Sequence, residues 1–345
     1  MRYTYGIIGC QHGHIATFIR EMEALGARCA GIYEPDEPAL AERLSRQHSI
    51  PLVQSAEELL RPEVGVIGSS AVNNRKLDVI ELCEAHGKSV MLDKPIVTNR
   101  DQLNRLADVM ARGRIQVGML LTERFRPAAI SLKRMIEEGE LGRIVSVTMR
   151  KPHRLSPAQR HRWHFSKEQN GGLIQDLFIH DFDLLRWWTG QEFVRVDSLM
   201  TKTILPEHPD FYDTACAQVL LTGGTLAQLY ADWHTPDKSW TWGDCRIFVS
   251  GTAGCAELRL CGDPSVASAA NEELLLRVTN ASAFERIDLP TPATTITEDF
   301  LNRLEGRDSI IGHRDILEAC RAAVSADERA VVVNAFQPNR NEVTT

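Results

Sequence analysis

The sequence has no surplus of basic residues: 39 Lys and Arg stand against 46 Asp and Glu, a formal charge of −7. Nucleic acids and anionic membranes attract concentrated positive charge, and here the basic residues are scattered, so neither is an expected partner. Long apolar runs are missing too. The short one around Ile7 and Ile8 is cut by Gln11, His12 and His14, which argues against a signal peptide or a membrane span. Among the eight cysteines, Cys10, Cys29, Cys83, Cys216, Cys245, Cys255, Cys261 and Cys320, there is no C-x-x-C pair and no zinc-type spacing with histidine. Reduced thiols and a cytoplasmic setting are expected. Internal repeats and low-complexity tracts are absent.

What is present is apolar material, 43% of 345 residues, sufficient for two domains. Strand-like runs at 3–9, 28–33, 64–67, 89–92 and 116–121 alternate with helical patterns at 14–25, 37–47, 75–86 and 101–112. Such a rhythm demands a mainly parallel sheet covered by helices on both faces. After Phe125 the pattern changes to a helix ending at Gly139, a strand over 143–149 and an irregular basic and aromatic stretch over 151–170. A helix over 172–188 follows, then strands at 214–221 and 225–230 around Gly223-Gly224, a hairpin signal in which both glycines can take positive φ. A last helix over 315–325 leads into a polar tail expected to fray. The expected fold is an α/β Rossmann domain over 1–122, then an α+β domain over 123–345 with a large, mostly antiparallel sheet.

The segment from Gly6 to His14 lies where the first strand meets the first helix, the place of a dinucleotide fingerprint. Backbone donors at such a turn face a pyrophosphate. Gly9 fits G-x-G-x-x-G, whereas Gln11 and His14 replace the later glycines, and Gln11 brings a side chain toward the phosphates. His12 and Gly13 complete the candidate turn. Glu34 closes the second strand, where a carboxylate accepts hydrogen bonds from the ribose hydroxyls and repels a 2′-phosphate. NAD is favoured over NADP on that ground; Asp36 is able to share the role, and Glu34 also reads as a solvated loop acid.

Two further segments carry chemistry: Asp93-Lys94-Pro95 at a strand end, and the run from Gly171 to Asp183. Asp176 and His180 are four apart in a helical stretch and so share a face. Hydride leaves an alcohol carbon only as the hydroxyl proton departs, which needs a base and a positive charge for the developing oxyanion. His180 suits the base, Lys94 the charge, and Asp176 the orientation of the imidazole or of a second hydroxyl. Singly, His180 also reads as a core histidine satisfied by Asp176, Lys94 as a solvated loop lysine, and Pro95 as a turn residue after a cis bond. His161, His164, Asp181 and Asp183 match no common zinc site, and no metal is expected.

With Arg124-Phe125-Arg126-Pro127 and the segment from Gly139 to Ile144, these motifs resemble, in order, those of the glucose-fructose oxidoreductase, inositol dehydrogenase and MocA family. Asp93 stands where the family has Glu, and Ser69-Ser70 with Lys76 replace its T-P…H. The resemblance covers nearly the whole chain and implies an open-faced sheet joining protomers into a homodimer or homotetramer. It implies Lys94, Asp176 and His180 as the catalytic group beside the nicotinamide. Ser69, Asn73, Asp93 and Lys94 would join the cofactor site and Arg124 the substrate site; His153 and Trp163, in the basic aromatic stretch, read as lining the substrate mouth or equally as part of a solvated basic loop. The expected function is oxidation or reduction at a hydroxyl carbon of a sugar, inositol or related polyol. Alternatives are an NAD-dependent glycosidase without net redox change and a non-catalytic nucleotide- or sugar-binding regulator.

Overall fold

The structure, a computed structural model, describes residues 3–265 and 272–336. It divides into two compact units. The first comprises Met1–Thr122, Glu168–Gly171 and Thr294–Arg321; the second comprises Glu123–Lys167, Gly172–Ala293 and Ala322–Thr345. Two segments beyond residue 122 thus return to the first unit, which a single boundary at that point does not provide for.

In the first unit, β1 (Thr4–Cys10), β2 (Arg28–Tyr33), β3 (Val66–Ser70), β4 (Ser89–Leu92) and β5 (Val117–Met119) form a sheet in the order β2-β1-β3-β4-β5. Every neighbouring pair is parallel. Helices α1 (Ile15–Ala24), α2 (Ala39–His48), α3 (Lys76–Ala85) and α4 (Arg100–Arg112) connect the strands. Strand β3 is buried throughout, as parallel strands with both faces covered must be. On α1 the buried residues Ile15, Phe18, Ile19 and Met22 form one apolar stripe. Helix α4 starts at Asn99, whose side chain accepts from Gln102 N (2.9 Å), and stops at Gly113. The strand order reverses between β1 and β3, so a crevice opens beyond their carboxyl ends, where ligands of open α/β sheets bind.

The second unit holds α5 (Pro127–Glu137), β6 (Ile144–Pro152), most of the turns before and after it, and α7 (Leu173–Thr189), which follows the single-turn α6 (Lys167–Asn170). Strands β7 (Phe193–Lys202), β8 (Thr214–Leu221), β9 (Leu226–Asp232), β10 (Arg246–Gly251), β11 (Gly254–Arg259), β12 (Leu274–Thr279) and β13 (Glu285–Arg286) come next. The chain then forms α8 (Ile296–Leu304) in the first unit, α9 (His313–Glu328), within which the division falls, and β14 (Val331–Asn334). The sheet order is β13-β12-β11-β10-β6-β9-β8-β7-β14; β6 with β9 and β7 with β14 are parallel, the other pairs antiparallel. Helices α5 and α7 pack on this sheet. Burial alternates along β8, β9 and β10, and Val145, Leu226 and Phe248 are exposed.

Two local expectations change. The β8–β9 hairpin forms, but only Gly224 has positive φ (+82°), while Gly223 N donates to Gln191 Oε1 at 2.8 Å. The tail does not simply fray after the last helix, because Val331–Asn334 pairs in parallel with Leu199–Lys202. Residues 337–345 lie outside the described residues.

Candidate active site

The first unit turns at Gly9 (φ +81°), where a Cβ would lie 2.5 Å from Ala71 Cβ; only glycine lets β1 and the end of β3 meet so closely. Beyond it, Gln11 N donates to Ser70 O (2.8 Å) and His12 N to Ser70 Oγ (3.3 Å). The Glu34 carboxylate accepts from Cys10 N and from Asp36 N (2.7 Å), tying the end of β2 to the turn. Beside it lies a cleft of about 270 Å³ whose walls include Glu34, Asp36, Ala71, Val79 and Leu82. Apolar walls and a carboxylate at the rim fit the adenosine half of a dinucleotide. Gln11 departs from expectation: it is 4% exposed and its Nε2 donates to Glu37 O (3.1 Å), so the side chain is tied to the loop after β2.

Asp93-Lys94-Pro95 follows β4, with a cis Lys94-Pro95 bond. Its anchor is Lys76 on α3, a fully buried ammonium that donates to Asn73 Oδ1 (2.8 Å), Asp93 O (3.0 Å) and Pro95 O (3.1 Å) and pairs with the Asp93 carboxylate. A buried charge persists only when paired and hydrogen-bonded, and this set meets that demand. Asn73 in turn donates to Asn170 O (2.8 Å), and Ser69 Oγ accepts from Ala71 N (3.3 Å). Lys94 is 7% exposed.

In the second unit, Asp176 and His180 lie one turn apart on α7, whose N-terminus follows Gly172. In the same unit one ammonium serves two carboxylates: Lys151 pairs with Glu123, 15% exposed, and with Asp181 (2.5 Å), and both Lys151 and Asp181 are deeply buried. Burial pushes Glu123 up, but the charges of Lys151 and His180 overcome it and hold the carboxyl at about 2. Asp181, raised by burial against the pull of Lys151 and further by Glu123, sits at about 6. Asp181 therefore takes up a proton before Glu123, which has additional cationic neighbours in His180 and Arg126. Arg160 lies over the Trp233 ring (5.1 Å) and the Trp242 ring (5.5 Å), donates to Leu155 O (3.0 Å), and interacts electrostatically with Asp176. His153 meets the edge of Trp233 at 5.7 Å, and Trp163 is 8% exposed with an indole N–H that has no acceptor among the described residues.

The sequence profile for an oxidoreductase family with an NAD-binding Rossmann fold matches residues 3–119, and the profile of the Gfo/Idh/MocA C-terminal domain matches residues 130–257. The chain belongs to the Gfo/Idh/MocA oxidoreductase family. A myo-inositol dehydrogenase of Streptomyces leeuwenhoekii is 28% identical over 232 residues, 66% of this chain and 69% of the relative. An inositol 2-dehydrogenase of Saccharopolyspora erythraea is 26% identical over 242 residues, 66% of each chain. The alignment thus spans about two thirds of these relatives' length. A solved structure from Erwinia carotovora atroseptica superposes with a TM-score of 0.87 at 25% identity, covering 96% of this chain and 100% of that one.

As a Gfo/Idh/MocA protein the chain is an oxidoreductase with a Rossmann unit for a nicotinamide cofactor. Of the expected site residues, Gly9, Gln11, His12, Gly13, His14, Glu34, Ser69, Asn73, Asp93 and Lys94 lie in the first unit, and Arg124, His153, Trp163, Asp176 and His180 in the second. Arg124 is not available to a substrate in the expected way. It is 1% exposed and holds Asp183 through Nε (2.8 Å) and Nη2 (2.6 Å), which ties the turn before α5 to α7. Lys151, Glu123 and Trp233 escaped the sequence reading, since nothing in their local pattern marks them; their grouping depends on sheet register.

Proposed function

We propose that the protein is a dehydrogenase that moves hydride between NAD and a hydroxyl carbon of a sugar, inositol or related polyol. The observation that carries this is α7, which presents a carboxylate and an imidazole at i and i+4, together with the anchored Asp93-Lys94-Pro95 turn of the first unit, in the family's sequence order. The dinucleotide, when bound, supplies the hydride acceptor. His180 takes the hydroxyl proton, Asp176 orients the imidazole, and the Lys94 ammonium stabilises negative charge developing on the substrate oxygen. Glu34 and the cleft beside Gly9 hold the adenosine half, and the carboxylate supports NAD over NADP. Trp163, His153 and Arg160 offer donors and aromatic faces to a polyhydroxylated substrate.

The test is a screen of sugars and inositols for NADH formation, run in parallel with NADP. Lys94→Ala and His180→Asn are each expected to lower turnover by about 10²–10⁴-fold. Full activity in both variants refutes the assigned roles, and turnover with no net NADH points instead to the glycosidase alternative.

A further inference from the structure

The imidazoles of the strand-to-helix turn, His12 and His14 of the expected cofactor site, carry no proton or hydride step in the chemistry above, and they converge on one buried oxygen. His12 Nδ1 lies 3.2 Å and His14 Nδ1 3.9 Å from Asp93 Oδ2. The three ligand atoms all fall within 4.8 Å of one another, and the two rings meet edge to face at 4.1 Å. Asp93 is 1% exposed. Its Oδ1 is engaged separately, by the Lys76 ammonium. The His14 backbone N–H also approaches His12 Nδ1, at 3.4 Å.

Two imidazole nitrogens and one carboxylate oxygen form a three-ligand set of the kind that holds zinc and related divalent ions with open positions. Ligands at about 2.0–2.2 Å from a tetrahedral ion stand roughly 3.3–3.5 Å apart, which the observed spacings bracket. Lys76 completes the arrangement by fixing the carboxylate from behind, so that a single oxygen is presented to the ion. We propose that His12, His14 and Asp93 bind one divalent transition-metal ion of the zinc class per chain at the turn between β1 and α1. The site leaves coordination positions for solvent or another oxygen ligand. Sequence spacing alone hides it, because Asp93 is 79 residues from His14 and reaches the turn only through the β1-β3-β4 order.

The test uses the full chain stripped with a chelator and dialysed against zinc, with cobalt(II) as a spectroscopic probe. Wild type is expected to take up one ion and to give visible cobalt bands. His12→Gln and His14→Gln are each expected to weaken uptake at least tenfold and to lose the bands, while His161→Gln, a histidine outside the set, binds as wild type does. The proposal is overturned if wild type takes up no zinc, or if either His12→Gln or His14→Gln retains wild-type affinity. The readout is independent of turnover, so its failure and that of the dehydrogenase reading are separately visible.

Discussion

At the scale of single residues, buried charge organises both units. Lys76 is the clearest case, since four oxygen contacts from α3's own approach and from the β4 turn converge on one ammonium. Removing one partner of such a pair leaves the other charge buried and uncompensated. Lys76→Met is therefore expected to cost about 3–5 kcal/mol, read as a lower urea midpoint. His313 offers a pH test. Its Nε2 accepts from Val117 N (3.0 Å), and burial, aided by the Arg303 charge, lowers its pKa from 6.5 to about 4. The unfolded chain protonates this imidazole near its ordinary value while the folded chain resists. The stabilisation it gives is complete above pH 6.5 and is lost as pH falls toward 4. His313→Gln, which keeps an acceptor for Val117 but cannot titrate, is expected to flatten that part of the stability profile relative to wild type.

At the scale of elements, the legible parts of the sequence are those whose pattern is fixed by burial, on both faces or on alternate residues. Strands β2, β4 and β8 begin and end where the strand-like runs do, β4 because its interior is covered on both faces and β8 because buried and exposed residues alternate along it. Strand β14 was not legible: Val331, Val332 and Val333 are all exposed, so no inward and outward alternation marks them, and the pairing depends on β7 being at hand. Asp176 and His180 were readable as a pair from helical spacing alone, whereas the Lys76 and Lys151 clusters join residues from separate elements and have no local signature. The Gly9 turn, readable in position, owes its shape to the approach of Ala71. Gly9→Ala would put a Cβ against that residue at positive φ. It is expected to destabilise the protein by about 1–3 kcal/mol and to weaken NADH binding, measured by thermal melting and by nucleotide fluorescence.

At the scale of the whole molecule, the exposed apolar side chains of the large sheet bear on assembly. Val145, Leu226 and Phe248 are 45%, 57% and 46% exposed on strands whose alternate residues are buried. Monomers rarely leave such a surface to water, so a homo-oligomer joined through this sheet is expected, with sedimentation giving a dimer or tetramer; charged substitutions at Leu226 and Phe248 together are expected to shift it to monomer. The first unit also takes in a later chain segment, Thr294–Arg321. Phe300 of α8 lies against the position of Gly118, Arg303 donates to Val117 O (2.8 Å), and His313 serves Val117 N. During synthesis, then, the strands and helices of the first 122 residues emerge from the ribosome long before the helix that covers β5. The edge they present stays unfinished until α8 and the start of α9 have been made, so folding of the N-terminal unit is completed only after strands β6 to β13 of the second unit have been translated, rather than step by step along the chain.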